Sequence, residues 1–182
     1  MLRKIALAAA AVAVTGSAAM AADLYVPETP APIVEASGVG FEGLYTGVQL
    51  GGYFQEDYDT QAFVGGVVGY NFTADPVLVG IELQGNYYFE NDDYPAAGEI
   101  LALGKLGFVV TDNFAVYALG GFGYVWRDED AADFSEYALG VGAELKLTDE
   151  VGLRGDILAI GYEDGVDTFD AARATVGVLW HF

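Results

Sequence analysis

Cysteine is missing from this sequence, basic residues are scarce, and no apolar run is long enough to cross a membrane as a helix. The first absence excludes a disulfide framework and any thiolate metal site. The second leaves seven lysines and arginines against 27 acids, a formal net charge of −20. Such a chain cannot neutralise phosphates, so nucleic acid is excluded as a partner. A composition this acidic would drift toward disorder, yet 53% of the residues are hydrophobic and the mean hydropathy is positive. Acidic and apolar residues must therefore occupy different regions.

The longest apolar stretch runs from Ile5 to Val14 behind Arg3 and Lys4, and Ala19-Met20-Ala21 follows with small residues where a signal peptidase reads. It is too short and too alanine-rich to span roughly 30 Å of hydrocarbon. Residues 1–21 are predicted to be a secretory signal peptide. All 27 acids lie beyond it, with only five bases, Lys105, Arg127, Lys146, Arg154 and Arg173. Residues 22–42 read as a periplasmic, Pro-rich leader, because Pro27, Pro30 and Pro32 fall within six residues and favour an extended, hydrogen-bond-free backbone. Residues 43–182 read as one domain.

From Gly43 onward one pattern recurs. Eight alternating runs, at about 43–54, 62–73, 77–89, 99–110, 114–126, 135–147, 151–162 and 172–182, each have the length a tilted strand needs to cross a bilayer. Their connections alternate in kind. Thr73-Ala74-Asp75-Pro76, Thr111-Asp112-Asn113 and Thr148-Asp149-Glu150 are tight and rich in turn formers, whereas the links near 55–61, 90–98, 127–134 and 163–171 are longer. An all-β, eight-stranded antiparallel up-and-down transmembrane β-barrel is predicted, with short turns and both termini in the periplasm and long loops outside.

Sorting the runs by parity separates two faces. In the third, Val79, Ile81, Leu83 and Tyr87 alternate with Gly80, Glu82, Gln84, Asn86 and Tyr88; in the last, Val176, Val178, Trp180 and Phe182 oppose Thr175, Gly177 and His181. The predicted lumen holds Glu82, Glu144 and Asp156 against Lys105, Arg154 and Arg173. Charges in so narrow an interior need partners, since an unpaired buried charge costs several kcal/mol. Two readings follow: a neutralised polar plug, or a narrow charge-lined path for small ions or solutes. Aromatics gather near the run ends, Phe54, Phe89, Trp126, Tyr137 and Tyr162 on the outer side and Phe72, Phe114, Trp180 and Phe182 on the periplasmic side, as interfacial girdles do. A soluble ligand-binding barrel would invert this pattern and put its apolar face inward.

The start Ala22-Asp23-Leu24, the segment Phe41-Glu42-Gly43-Leu44-Tyr45-Thr46-Gly47-Val48-Gln49-Leu50-Gly51-Gly52 and the end Thr175-Val176-Gly177-Val178-Leu179-Trp180-His181-Phe182 resemble the small outer-membrane β-barrel ("porin family") proteins of alphaproteobacteria, relatives of the OmpA transmembrane domain. The resemblance implies residence in the cell outer membrane among its lipid and lipopolysaccharide. It also implies insertion by the barrel assembly machinery, which reads the terminal strand through Trp180 and Phe182, and a role in envelope integrity or surface exposure. A peptidoglycan-gripping periplasmic domain like that of full-length OmpA is not expected, because the sequence stops at Phe182.

The loops are the individual feature. Asp57 and Asp59 mark the first, Asp92 and Asp93 the second, Asp128 and Asp130 the third, and Asp164 and Asp167 the fourth, each with further acids beside them. They read either as a solvated, mutually repelling surface or as weak sites for divalent cations shared with lipopolysaccharide; no segment keeps the spacing of a calcium loop. Catalysis is not expected. The one histidine, His181, falls at the periplasmic end of the last strand, and Ser37 and Ser135, the serines beyond the signal peptide, have no base beside them. The expectation is a monomer without cofactor, structural in function, with a narrow porin-like channel as the alternative.

Overall fold

Strands are the only regular elements among the residues that the computed structural model describes, which are 40–55, 58–127, 134–162, 169 and 171–182. There are eight of them. They are β1 (Gly43–Gln55), β2 (Gln61–Ala74), β3 (Val77–Tyr88), β4 (Ala97–Thr111), β5 (Phe114–Arg127), β6 (Phe134–Lys146), β7 (Val151–Tyr162) and β8 (Ala171–His181). Each pairs antiparallel with its sequence neighbours, and β1 pairs with β8, so the sheet closes with no free edge. Closure removes the unpaired backbone groups that lipid could not satisfy.

The burial pattern alternates along every strand, as period-2 side chains on a barrel must. Ile81 (66% exposed), Leu106, Phe108, Phe122 (77% exposed), Val141 and Val176 point outward, and Glu82, Lys105, Glu144, Arg154 and Arg173 are buried inside. Ions inside and hydrocarbon outside is the inverse of a soluble protein. The tight connections at 75–76, 112–113 and 147–150 lie at one end, together with the start of β1 and the end of β8.

One feature goes beyond the sequence reading and one expectation needs correction. Toward the long-loop end the lumen is apolar: Leu101, Leu103, Leu119, Leu158 and Ile160 pack inside, with Phe63, Tyr88 and Tyr117. Apolar filling there avoids desolvating further charges that would lack partners. Tyr162 is not a girdle residue. It shares the inward parity of Asp156, Leu158 and Ile160, packs against that same cluster and bonds hydroxyl to hydroxyl with Tyr53.

The short-turn end is closed by residues ahead of β1. Phe41 is 1% exposed and packs on Leu78 and Ala115. Its carbonyl accepts from Asn71 Nδ2 at 3.1 Å, while Lys146 Nζ donates to the Gly40 carbonyl at 2.7 Å. Gly43, at φ 117°, then turns the chain into β1, where a Cβ would sit 3.0 Å from the Phe182 carbonyl oxygen. The last residues of the predicted leader thus belong to the folded unit. The predicted signal peptide and the rest of the predicted leader lie outside the described residues.

Candidate functional site: the lumen charge network

Arg154 organises the middle of the lumen. Its Nη1 and Nη2 reach Glu82 Oε2 and Oε1 at 2.7 and 3.0 Å, a two-pronged contact that arginine's planar fork makes and lysine cannot. Its Nε donates to Asp156 Oδ2 at 2.7 Å, and Nη2 donates to the same oxygen. Lys105 Nζ stands 3.4 Å from Glu82 Oε2 and donates to the Tyr45 hydroxyl at 3.0 Å. Tyr45 in turn donates to Glu82 at 2.5 Å, and Tyr117 donates to Asp156 at 2.9 Å. The Lys105 ammonium also lies 4.7 and 4.4 Å from the Tyr45 and Tyr117 ring centroids. Two acids and two bases cancel here. All four side chains are almost completely out of solvent.

A second group lies nearer the long loops. Arg173 Nη1 binds both oxygens of Glu99 at 2.7 and 2.8 Å, and Asn86 and Tyr88 donate to the same carboxylate. Gln84 joins the two groups. Its Nε2 donates to Glu82 at 2.6 Å, and its Oε1 accepts from Arg173 Nη2 at 2.8 Å and from Gln49 at 3.0 Å. The third group is toward the short turns, where His181 Nε2 lies 2.6 Å from Glu144 Oε1 and the His181 ring packs 5.5 Å from Tyr45.

Small residues open the space these side chains fill. A Cβ on Gly69 would stand 2.3 Å from the Tyr45 hydroxyl, and one on Gly65 would stand 1.9 Å from Asn86 Oδ1. Gly65 and Gly69 of β2 are therefore part of the wall against which the network packs.

Of the six predicted lumen charges, Glu82, Lys105, Arg154 and Asp156 meet directly, Arg173 joins them through Gln84, and Glu144 pairs with His181 instead. Glu99, Glu136 and Lys146 were not among those six, yet all three are buried. The signal was present: Glu99 has the parity of Lys105 on β4, and Glu136 and Lys146 have that of Glu144 on β6. Trp180 and Phe182 point outward, 41% and 78% exposed. Of the predicted loop acids, Asp59, Asp92 and Asp93 are exposed, with the Asp59 amide donating to Asp93 Oδ2 at 2.6 Å. Asp57, Asp128, Asp130, Asp164 and Asp167 lie outside the described residues. Among the described residues no three acids or histidines converge as metal ligands.

The family model for the outer membrane protein β-barrel domain matches residues 7–182. The chain belongs to that family. Membership places it in the outer membrane, within the lipid and lipopolysaccharide bilayer, and agrees with the apolar outer face. No curated protein matches the sequence. Among solved structures, the barrel is similar to the N-terminal β-barrel domain of Pseudomonas aeruginosa OprF, at 16% identity and TM-score 0.56 over 78% of this chain and 98% of that one. It is also similar to Ail, the attachment invasion locus protein of Yersinia pestis, at 13% identity and TM-score 0.56 over 78% and 99%. Neisserial surface protein A is similar at 11% identity and TM-score 0.53 over 78% and 98%. At these identities the likeness is one of fold.

Proposed function

We propose that this family member is a non-catalytic, monomeric structural barrel of the envelope whose lumen is closed by its own side chains. The observation that carries this reading is the Arg154 cluster: four buried charges sum to zero across the middle of the barrel and are bound to one another. Buried ions held this way are costly to separate, because removing one partner leaves an uncompensated charge. Apolar and aromatic packing above the cluster and Phe41 below it support the same reading. In this proposal both termini are periplasmic, the barrel assembly machinery engages the terminal strand at Trp180 and Phe182, and the acidic loops face outward and repel polyanions.

A narrow channel is the second reading, and one observation favours it. Gln49 Oε1, Asn71 Oδ1, Arg173 Nε, His181 Nδ1 and Glu136 Oε1 are buried without a protein hydrogen-bond partner, at levels running from one end of the lumen to the other. Water bonded to such atoms would form a broken file through the barrel. Conductance of the refolded protein across a planar bilayer separates the two. A silent membrane supports the closed core; reproducible unitary steps whose selectivity changes on Lys105→Glu or Arg154→Glu establish the channel.

A further inference from the structure

At the long-loop mouth two acids from different strands meet. Glu99 lies on β4 opposite Val125 of β5, and Glu136 lies on β6 opposite Gly123 of that same strand. Both are buried in the lumen. No β5 side chain stands between Glu136 and β4 at this level: a Cβ on Gly123 would sit 2.9 Å from Glu136 Oε1 and 3.0 Å from Leu101 Cδ1. Glu136 therefore reaches across β5, and its carboxyl is hydrogen-bonded to that of Glu99.

A carboxylate only accepts, so a hydrogen bond between two carboxyl groups requires one of them to keep its proton. Glu99 is held as the anion. Its two oxygens accept from Arg173 Nη1 at 2.7 and 2.8 Å, and Oε2 accepts also from Asn86 Nδ2 and the Tyr88 hydroxyl. Glu136 has no comparable set of donors. Arg173 Nη2 is turned to Gln84, and Arg173 Nε and Glu136 Oε1 are each buried without a hydrogen-bond partner, so the guanidinium does not reach across to the second acid.

The charges that act on Glu136 are those of Glu99 from β4 and Arg173 from β8. Its small cavity is otherwise walled by Tyr53 of β1, Tyr88 of β3, Tyr94 of the following loop, Phe134 beside it on β6 and Tyr162 of β7. Arg127 of β5 lines the cavity too, with its guanidinium 4.5 Å from the Phe134 ring centroid. A second anion among aromatic rings and next to Glu99 would be costly, and a shared proton removes that cost.

We propose that the Glu99–Glu136 pair is a proton-binding site: at neutral pH it holds one proton, carried on Glu136 and donated to Glu99, and this proton ties β6 to β4 across β5. Arg173 then faces a single anion, and the level is neutral. The site does not depend on whether the lumen below it is closed or conducting. A glutamate in the unfolded chain ionises near about 4.3. Above that pH the folded protein binds one proton more than the unfolded chain, so the folding constant falls tenfold for each unit of rising pH until the proton leaves the folded state.

The test has two parts. The infrared spectrum of the refolded protein at neutral pH, in a detergent without ester groups, should show a carboxylic-acid carbonyl band that Glu136→Gln lacks. Urea unfolding between about pH 5.5 and about pH 7 should then show the native folding constant falling tenfold per pH unit relative to Glu136→Gln, whose amide donates to Glu99 without a proton to lose. If that variant folds poorly, which heat-modifiable gel migration reveals, Glu99→Gln replaces it in the infrared experiment. With Glu99 neutral, Arg173 can hold Glu136 as the anion, and the band should again be lost. A native protein with no such band overturns the proposal. So does a band that the variants keep, which would place the proton elsewhere, or a folding constant whose pH dependence is the same in the native protein and in Glu136→Gln.

Discussion

The middle of the lumen and its long-loop mouth are built from the same residue types and pair them differently. Around Arg154, two acids meet two bases, each charge is bonded to another, and tyrosine hydroxyls take up remaining capacity. At the long-loop mouth, Arg173 binds Glu99 and Gln84, Glu136 keeps one carboxyl oxygen without a hydrogen-bond partner, and aromatic rings together with Arg127 surround a small cavity. The difference teaches where this fold tolerates imbalance. Deep in the barrel a missing countercharge has no water to replace it, whereas at the mouth solvent is within reach.

The comparison is broken most severely at Arg154. Arg154→Met strands Glu82 and Asp156 together beside a single lysine, with an expected loss of about 3–5 kcal/mol in urea unfolding from lipid or detergent; Arg154→Lys should recover only part of it, because the two-pronged contact is lost. Next is the seal at the short-turn end. Phe41→Ala empties a buried aromatic site against Leu78 and Ala115 and should cost about 3 kcal/mol, read in the same unfolding experiment. Gly69→Ala presses a methyl group on the Tyr45 hydroxyl and the Ile81 carbonyl, with an expected cost of about 1–3 kcal/mol. Glu136→Gln sharpens the contrast from the other side: its Oε1 has no hydrogen bond to lose, and the change should alter stability by less than about 1 kcal/mol, far less than the matching Glu82→Gln in the middle.

The smallest effect is a titration. Burial pushes the Tyr94 hydroxyl up to about 12, with the neighbouring Tyr58 and Asp93 adding to the rise. In the unfolded chain a tyrosine ionises near 10. Tyr94 therefore contributes stability that is present below pH 10 and fades as pH rises toward 12. The difference in tyrosinate absorbance between the native protein and Tyr94→Phe should titrate near 12; a midpoint at 10 would show Tyr94 free of the mouth.

Most of the barrel was legible because its two faces differ at every second residue. Strand ends fall within about two residues of those read from alternation and turn chemistry, and Glu82, Lys105, Arg154, Asp156 and Arg173 fall on the predicted inner face. Parity says which side a residue takes, and it cannot say which neighbour it meets across the lumen. That is why Glu144 was grouped with the arginines although His181 binds it, and why Gln84, a residue of no special chemistry in sequence, is the link between the two arginine groups. The apolar cluster at the long-loop end was missed because Leu101, Leu158 and Ile160 inside look no different in sequence from leucines and isoleucines facing lipid. Phe41 was missed because a lone aromatic before the first strand carries no periodic signal.

The most direct test of the account is a double-mutant cycle between Glu82 and Arg154, using Glu82→Gln, Arg154→Met and the pair, with stability read by urea unfolding of the refolded barrel. A neutralised core held by this contact predicts a coupling energy above about 2 kcal/mol, with the double variant markedly more stable than the sum of the single losses implies. Additive losses, with no coupling between the two sites, would show that the charges act independently and would contradict it.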